Sequence, residues 1–271
     1  GQGLRIPRRY LQDLLETSQR FLQPAGIVGL RPLHLEGFHL LPQRPDLLDS
    51  GIKLEAAPTM RCAIVRLTFP ETGDPVLVLD AHHKGSAVKI SPSQNQVTAT
   101  SRSNHGGVPA NFACYYFITF DQPFTSFGVW NEETSIKDQI EFKGDHVGAF
   151  LRFKKNSTVI CRIGTSFISF EQAEKNLADE IGGRSFVAIQ QSGKEVWEKE
   201  LAKISITGAD RDQLETLYTA FYRALLFPRT FYEFDAAGQK SASSEFPRFS
   251  QPRAVLENQL QDLVQHHVAA V

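Results

Sequence analysis

Three groups of residues in this 271-residue chain carry side chains able to do chemistry. His82-His83 follows Leu79-Asp80-Ala81 at the end of an apolar run. Adjacent strand residues point to opposite faces, and a metal ion needs a third ligand converging on the same point. The pair therefore reads as a polar strand terminus, and no metal ligand is assigned. The segment Ser103-Asn104-His105-Gly106-Gly107-Val108-Pro109-Ala110-Asn111 is polar and glycine-bearing. In its plainer reading it connects two strands. In its sharper reading it is a recognition loop on a rigid scaffold, with His105 and Asn111 hydrogen-bonding the hydroxyls of a sugar. Gly106-Gly107 is no phosphate cradle, because no helical pattern follows it. Trp130 closes the run Phe127-Gly128-Val129-Trp130 and offers a ring for stacking on a sugar, against the plainer role of a packed rim aromatic. His105, Asn111 and Trp130 are thus the candidate substrate-binding residues.

Catalytic constellations are absent from the pattern. Glu132-Glu133 lies on a turn and Glu171 and Glu174 on a helix face, whereas sugar hydrolysis needs two carboxylates across one cleft. No GxSxG elbow occurs. Cys62, Cys114 and Cys161 are widely spaced inside apolar runs and read as small buried thiols, a disulfide between two of them staying open. Trp197 falls on a helical stripe and reads as core. No catalytic residue is assigned.

The elements that would position these residues change character along the chain. Residues 1–50 hold a short helical pattern and then a Pro-, Leu- and Arg-dense stretch without period, so they stay unassigned. From about Met60 to Ile163 the pattern is that of strands. Arg61 to Phe69 alternates, Pro70–Pro75 turns, and Val76–Leu79 returns. Ala87–Ile90 and Gln96–Ser101 are weaker strands. In Asn111–Phe120 the residues Phe112, Cys114, Tyr116, Ile118 and Phe120 share one face. Thr125–Trp130, Val147–Phe153 and Thr158–Ile163 complete about eight short strands, the spacing of an antiparallel sandwich. Helices follow. Ser169 with Gln172, Ser185, and Asp210 with Gln213 stand at cap positions, and Gly182-Gly183 ends the first helix. The last helix carries Leu214, Leu217, Tyr218, Phe221 and Leu225 on one stripe and stops at Pro228. Beyond Asp235 a Ser-rich stretch leads to a further helical pattern.

The fold class is mainly β with C-terminal helices: an antiparallel β-sandwich followed by linker helices. A formal net charge of −1 gives no electrostatic case for nucleic acid or an anionic membrane. No run approaches the roughly 20 apolar residues of a spanning helix, and no signal peptide is visible.

The wording of several blocks resembles glycoside hydrolase family 92, the exo-acting α-mannosidases. The blocks are Met60–Pro70 (MRCAIVRLTFP), Val76–His82 (VLVLDAH), Gly107–Phe124 (GGVPANFACYYFITFDQPF), Phe127–Trp130, Ile163–Leu177 (IGTSFISFEQAEKNL), Trp197–Ile206 and Leu214–Glu233. The resemblance implies a sandwich domain at 51–166, linker helices at 167–208, and at 209–271 the first helix of a truncated (α/α)₆ catalytic barrel with an unmatched tail. It implies a parent enzyme that hydrolyses terminal α-mannosides with inversion and calcium, that binds mannose-containing glycans, and that is secreted or periplasmic. The catalytic acid, the base and the calcium ligands are expected beyond this chain's end. The chain alone is then inactive, holds no cofactor, and has the rest of the barrel as its partner. Two alternatives stand beside this: a free-standing carbohydrate-binding sandwich, and a structural piece associating through its last helix. Similarity is expected to cover roughly residues 51–236, with flanks from frame-shifted or misjoined coding sequence.

Overall fold

The computed structural model describes residues 46–47, 51–104, 111–225, 232–235 and 237–242. The sequence-predicted short helix near the N-terminus, Pro228 and the tail pattern beyond 242 lie outside them. Twelve strands come first among the described residues: β1 (Asp46–Leu47), β2 (Ile52–Pro58), β3 (Cys62–Thr68), β4 (Val76–Asp80), β5 (Ser86–Ser91), β6 (Gln96–Ser101), β7 (Cys114–Phe120), β8 (Ser126–Asn131), β9 (Ser135–Lys137), β10 (Glu141–Gly144), β11 (Val147–Arg152) and β12 (Thr158–Ser166). Eight of them form one antiparallel sheet in the order β1-β2-β3-β12-β7-β6-β5-β10, and four form a second in the order β4-β11-β8-β9.

The two sheets face each other across a core of Val65, Leu67 and Phe69, Val88 and Ile90, Val97, Ile118 and Phe120 from the large sheet and Val129, Ala149 and Leu151 from the small one. In β7 every second residue from Cys114 to Phe120 is buried, as the alternation predicts. β3 departs from simple alternation. Val65 and Leu67 enter the sandwich core, whereas Cys62 and Ile64 pack with Leu177, Ile181, Phe186 and Ile189 on the opposite face. Both faces of the large sheet are therefore covered, one by strands and one by helices.

Those helices are α1 (Phe170–Glu180) and α2 (Phe186–Leu201). Ser169 caps α1 by accepting from the Gln172 amide, and Ser185 caps α2 by accepting from the Ala188 amide. The Gln172 side chain does not complete a capping box. It donates to Asn176 Oδ1 at 2.9 Å, and Asn176 Nδ2 donates to the Thr165 carbonyl at 2.9 Å, fastening α1 to β12. Gly164 lets α1 come close: a Cβ there would sit 2.3 Å from the Ala173 carbonyl oxygen. Gly182, at φ +51°, ends α1 in the left-handed conformation, and its amide donates to the Leu177 carbonyl at 2.9 Å. Trp197 is half-buried on α2 rather than core, and Ile204 falls beyond that helix.

Residues from Ile204 onward form a second compact unit. Its helix α3 (Arg211–Leu225) opens on a reciprocal capping box, in which Gln213 N donates to Asp210 Oδ1 at 2.9 Å and Asp210 N donates to Gln213 Oε1 at 3.0 Å. Leu214, Leu217, Tyr218, Phe221 and Leu225 are all half-buried, and Tyr222 is the buried residue of the helix. The hairpin β13 (Tyr232–Phe234) and β14 (Lys240–Ala242) follows.

Candidate functional site

Glycines in the small sheet decide what its outer face can hold. Gly148 pairs with Trp130 across β11 and β8, and Gly128 pairs with Phe150. A Cβ on Gly148 would lie 2.3 Å from Trp130 Cε2, and one on Gly128 would lie 2.4 Å from Phe150 Cζ. Each aromatic ring thus lies over the backbone of the glycine opposite. Trp130 is 3% exposed, packs with Val78 and Phe150, and donates from Nε1 to the Ala149 carbonyl at 3.2 Å. It offers no free face for stacking on a sugar. That part of the substrate-binding expectation is corrected, and Trp130 is a packing residue. Asn111 is exposed just ahead of β7, and His105 lies outside the described residues.

Beside Trp130, three strand ends bring together residues the sequence keeps apart. Asp80 is the last residue of β4, Glu132 follows the end of β8, and His146 precedes β11. Because β4, β11 and β8 are neighbours in the sheet, these residues meet at one end of it. His146 Nε2 lies 2.9 Å from Asp80 Oδ1, and His146 Nδ1 lies 3.0 Å from Glu132 Oε1. The His146 ring also meets the Trp130 ring edge-on, with centroids 5.4 Å apart.

The loop between β4 and β5 adds His83. His82 takes φ 64° and Lys84 φ 73°, left-handed backbone that side-chain-bearing residues seldom adopt. The turn is held by the His82 amide donating to Asp80 Oδ1 at 2.7 Å and by the Gly85 amide donating to the Asp145 carbonyl at 3.0 Å. It carries His83 back over His146, with ring centroids 3.8 Å apart, and sets His83 Nδ1 3.6 Å from Glu132 Oε1. The strand-terminus reading of His82-His83 placed the two rings on opposite faces. The structure instead turns the chain at His82, so His83 leaves the strand and joins the cluster without His82. Asp80 and His146 are buried, while the side chains of His83 and Glu132 are 54% and 63% exposed. The hydrogen bond with His146 draws the Glu132 carboxyl below the usual carboxylate range, and burial lowers His82.

Sequence reasoning missed Glu132 as a partner and did not consider His146. The available signal was their position: each directly flanks a strand of the same sheet. The thiols behave as expected, since Cys62, Cys114 and Cys161 are all buried and burial pushes Cys62 and Cys161 far up. The acidic residues Glu171 and Glu174 stay exposed on α1.

Comparison with known proteins then decides the family. Residues 45–166 match the glycosyl hydrolase family 92 N-terminal domain, and residues 172–259 match the family 92 catalytic domain, together well over half the chain. The chain belongs to glycosyl hydrolase family 92. A family 92 inverting mannosidase from Bacteroides thetaiotaomicron is 35% identical, with TM-score 0.69, over 72% of this chain and 27% of that one. A second α-mannosidase of the same organism is 23% identical, with TM-score 0.63, over 74% of this chain and 29% of that one, and shares the fold. An uncharacterised secreted glycosidase of Arthroderma benhamiae is 25% identical over 68% of this chain and 28% of its own length. The chain spans between a quarter and a third of each of these relatives.

The family match corrects one expectation. The two matches cover residues 45–166 and 172–259, beyond the expected span of about 51–236 at both ends, so the unmatched flanks are shorter than the sequence blocks suggest. Calcium, implied by the resemblance, takes about six to eight oxygen ligands. The one gathering of three metal-ligating side chains among the described residues is His83, Glu132 and His146. Two imidazoles and a single carboxylate do not suit calcium.

Proposed function

We propose that this chain is the N-terminal portion of a family 92 enzyme that hydrolyses terminal α-mannosides of glycans, with calcium and with inversion at the anomeric carbon. The observation carrying this is the domain order, a family 92 N-terminal match followed by a catalytic-domain match, with 35% identity to an inverting mannosidase that the chain spans only in part. In this reading the sandwich with α1 and α2 is a preformed support, and α3 opens the helical domain in which the reaction centre is built. The remainder of that domain is the chain's partner. Secretion follows the Arthroderma relative, which is described as secreted.

Inversion needs an acid and a base about 6.5–9.5 Å apart with a water between them. A shallow depression on α3, lined by Asp212, Gln213, Thr216, Leu217 and Ala220, holds a single carboxylate and so does not form such a pair. None of the residues here is assigned as acid or base, and the chain alone does not turn over substrate. Incubation with an aryl α-mannoside in the presence of calcium tests this. The expected result is no release above background, and calcium-dependent release by the chain alone would overturn it.

A further inference from the structure

We propose that His83, Glu132 and His146 form a binding site for a divalent transition-metal ion of the zinc, nickel and copper class, with Asp80 as the carboxylate that orients His146. The ligand atoms are Nδ1 of both histidines and Oε1 of Glu132. Tetrahedral zinc with bonds of about 2.0–2.1 Å sets neighbouring ligand atoms about 3.3 Å apart. The two separations to Glu132 Oε1, 3.0 Å from His146 and 3.6 Å from His83, bracket that edge, and all three ligand atoms lie within 4.8 Å of one another.

The surroundings support the assignment independently. Asp80 Oδ1 sits 2.9 Å from His146 Nε2 and can hold the ring proton there, so that a metal ion displaces the proton shared between Nδ1 and Glu132 and takes the Nδ1 lone pair. A ring nitrogen and a carboxylate oxygen 3.0 Å apart share either a proton or a metal ion. A proton there would serve two groups and leave His83 without a role, whereas a metal ion uses all three. Asp80 is itself fixed by the His82 amide, and its Oδ2 is buried without a hydrogen-bond partner among the described residues. Two carboxylates in contact with one imidazole leave a negative excess that a divalent ion balances. The left-handed backbone at His82 and Lys84, on either side of His83, is seldom adopted by side-chain-bearing residues and collects where a ligand must be aimed.

The donor set chooses the metal. Imidazole nitrogens suit zinc, nickel and copper, and calcium and magnesium prefer oxygen. The exposure of His83 and Glu132 leaves the remaining coordination position to water. The site lies wholly within the sandwich domain.

The test is titration of the chelator-stripped full chain with zinc chloride and, separately, with calcium chloride, followed by calorimetry and by thermal unfolding. Cobalt(II) serves as a visible-absorption reporter. His83→Ala and Glu132→Gln alter exposed side chains and keep the buried pair of Asp80 and His146 intact. The expected result is saturable zinc binding with a raised melting temperature, weakened at least tenfold by either substitution, with calcium giving no such shift. The chain holds 8 histidines, so the comparison with the variants is decisive. An unchanged zinc isotherm in the double variant would overturn the site, as would the absence of zinc binding by the unsubstituted chain. Neither result bears on mannoside hydrolysis, which is read by turnover.

Discussion

Arg66 donates through Nε and Nη2 to the two carboxylate oxygens of Glu55 at 2.7 and 2.8 Å, while its guanidinium carbon lies 4.4 Å from the centre of the Phe186 ring. One side chain thus joins β2, β3 and α2. The Arg66 hydrogen bonds, with a smaller contribution from Lys53, hold the Glu55 carboxyl down at about 2. A carboxyl depressed in the folded state stabilises fully above its unfolded value and loses that contribution as pH falls through the folded one. Glu55→Gln is therefore expected to lower stability by about 1 kcal/mol or less near neutrality, since the pair is partly exposed. The gap between variant and parent should narrow between pH 4.5 and about 2, as urea midpoints across that range would record. Gly148 gives a second residue-scale prediction. Gly148→Ala drives a Cβ against the Leu79 carbonyl and the Trp130 ring, and is expected to cost about 1–3 kcal/mol in urea unfolding.

At the scale of elements, the seat of α1 on β12 rests on an absent side chain and a polar ladder. Gly164→Val places carbon where the Ala173 carbonyl and Leu177 now lie, so α1 is expected to lift from the sheet. Hydrogen exchange should then show the α1 amides losing protection while β6 and β7 retain theirs. Ser169→Ala removes the cap that the Gln172 amide donates to and is expected to cost about 1 kcal/mol by thermal unfolding. These elements were legible because their signals are local: period-two burial in β7, cap residues ahead of α1, α2 and α3, and a glycine at the end of α1. The parts that were not legible depend on what lies across the sheet. β3 has two covered faces because α1 and α2 return onto it, and short polar β9 and β10 gain their identity only by pairing with β8 and β5. Trp130 read as a possible platform because nothing local reveals Gly148 beneath it. The histidine cluster assembles from three strand ends that are neighbours in space and far apart in the chain. Adjacency of His82 and His83 suggested divergence, and the left-handed turn at His82 reversed it.

At the scale of the whole molecule, a sandwich covered by two helices is followed by a second unit that begins with a half-buried amphipathic helix. No described helix is long and apolar enough to cross a membrane. The strands and linker helices have their own cores, whereas α3 keeps its apolar stripe only partly covered, the condition of an element that expects further helices. The matched part of the chain covers only 27% of the inverting mannosidase and 28% of the Arthroderma glycosidase, and the proposed reaction centre belongs to the remainder of the helical domain. The most direct measurement extends the chain at its C-terminus through a complete family 92 helical domain. It then compares aryl α-mannoside hydrolysis by the extended and unextended proteins, following the anomer first released by NMR. The account predicts turnover by the extended protein alone, with calcium dependence and β-mannose as the first product. Turnover by the unextended chain, or an α-anomer released first, would contradict it.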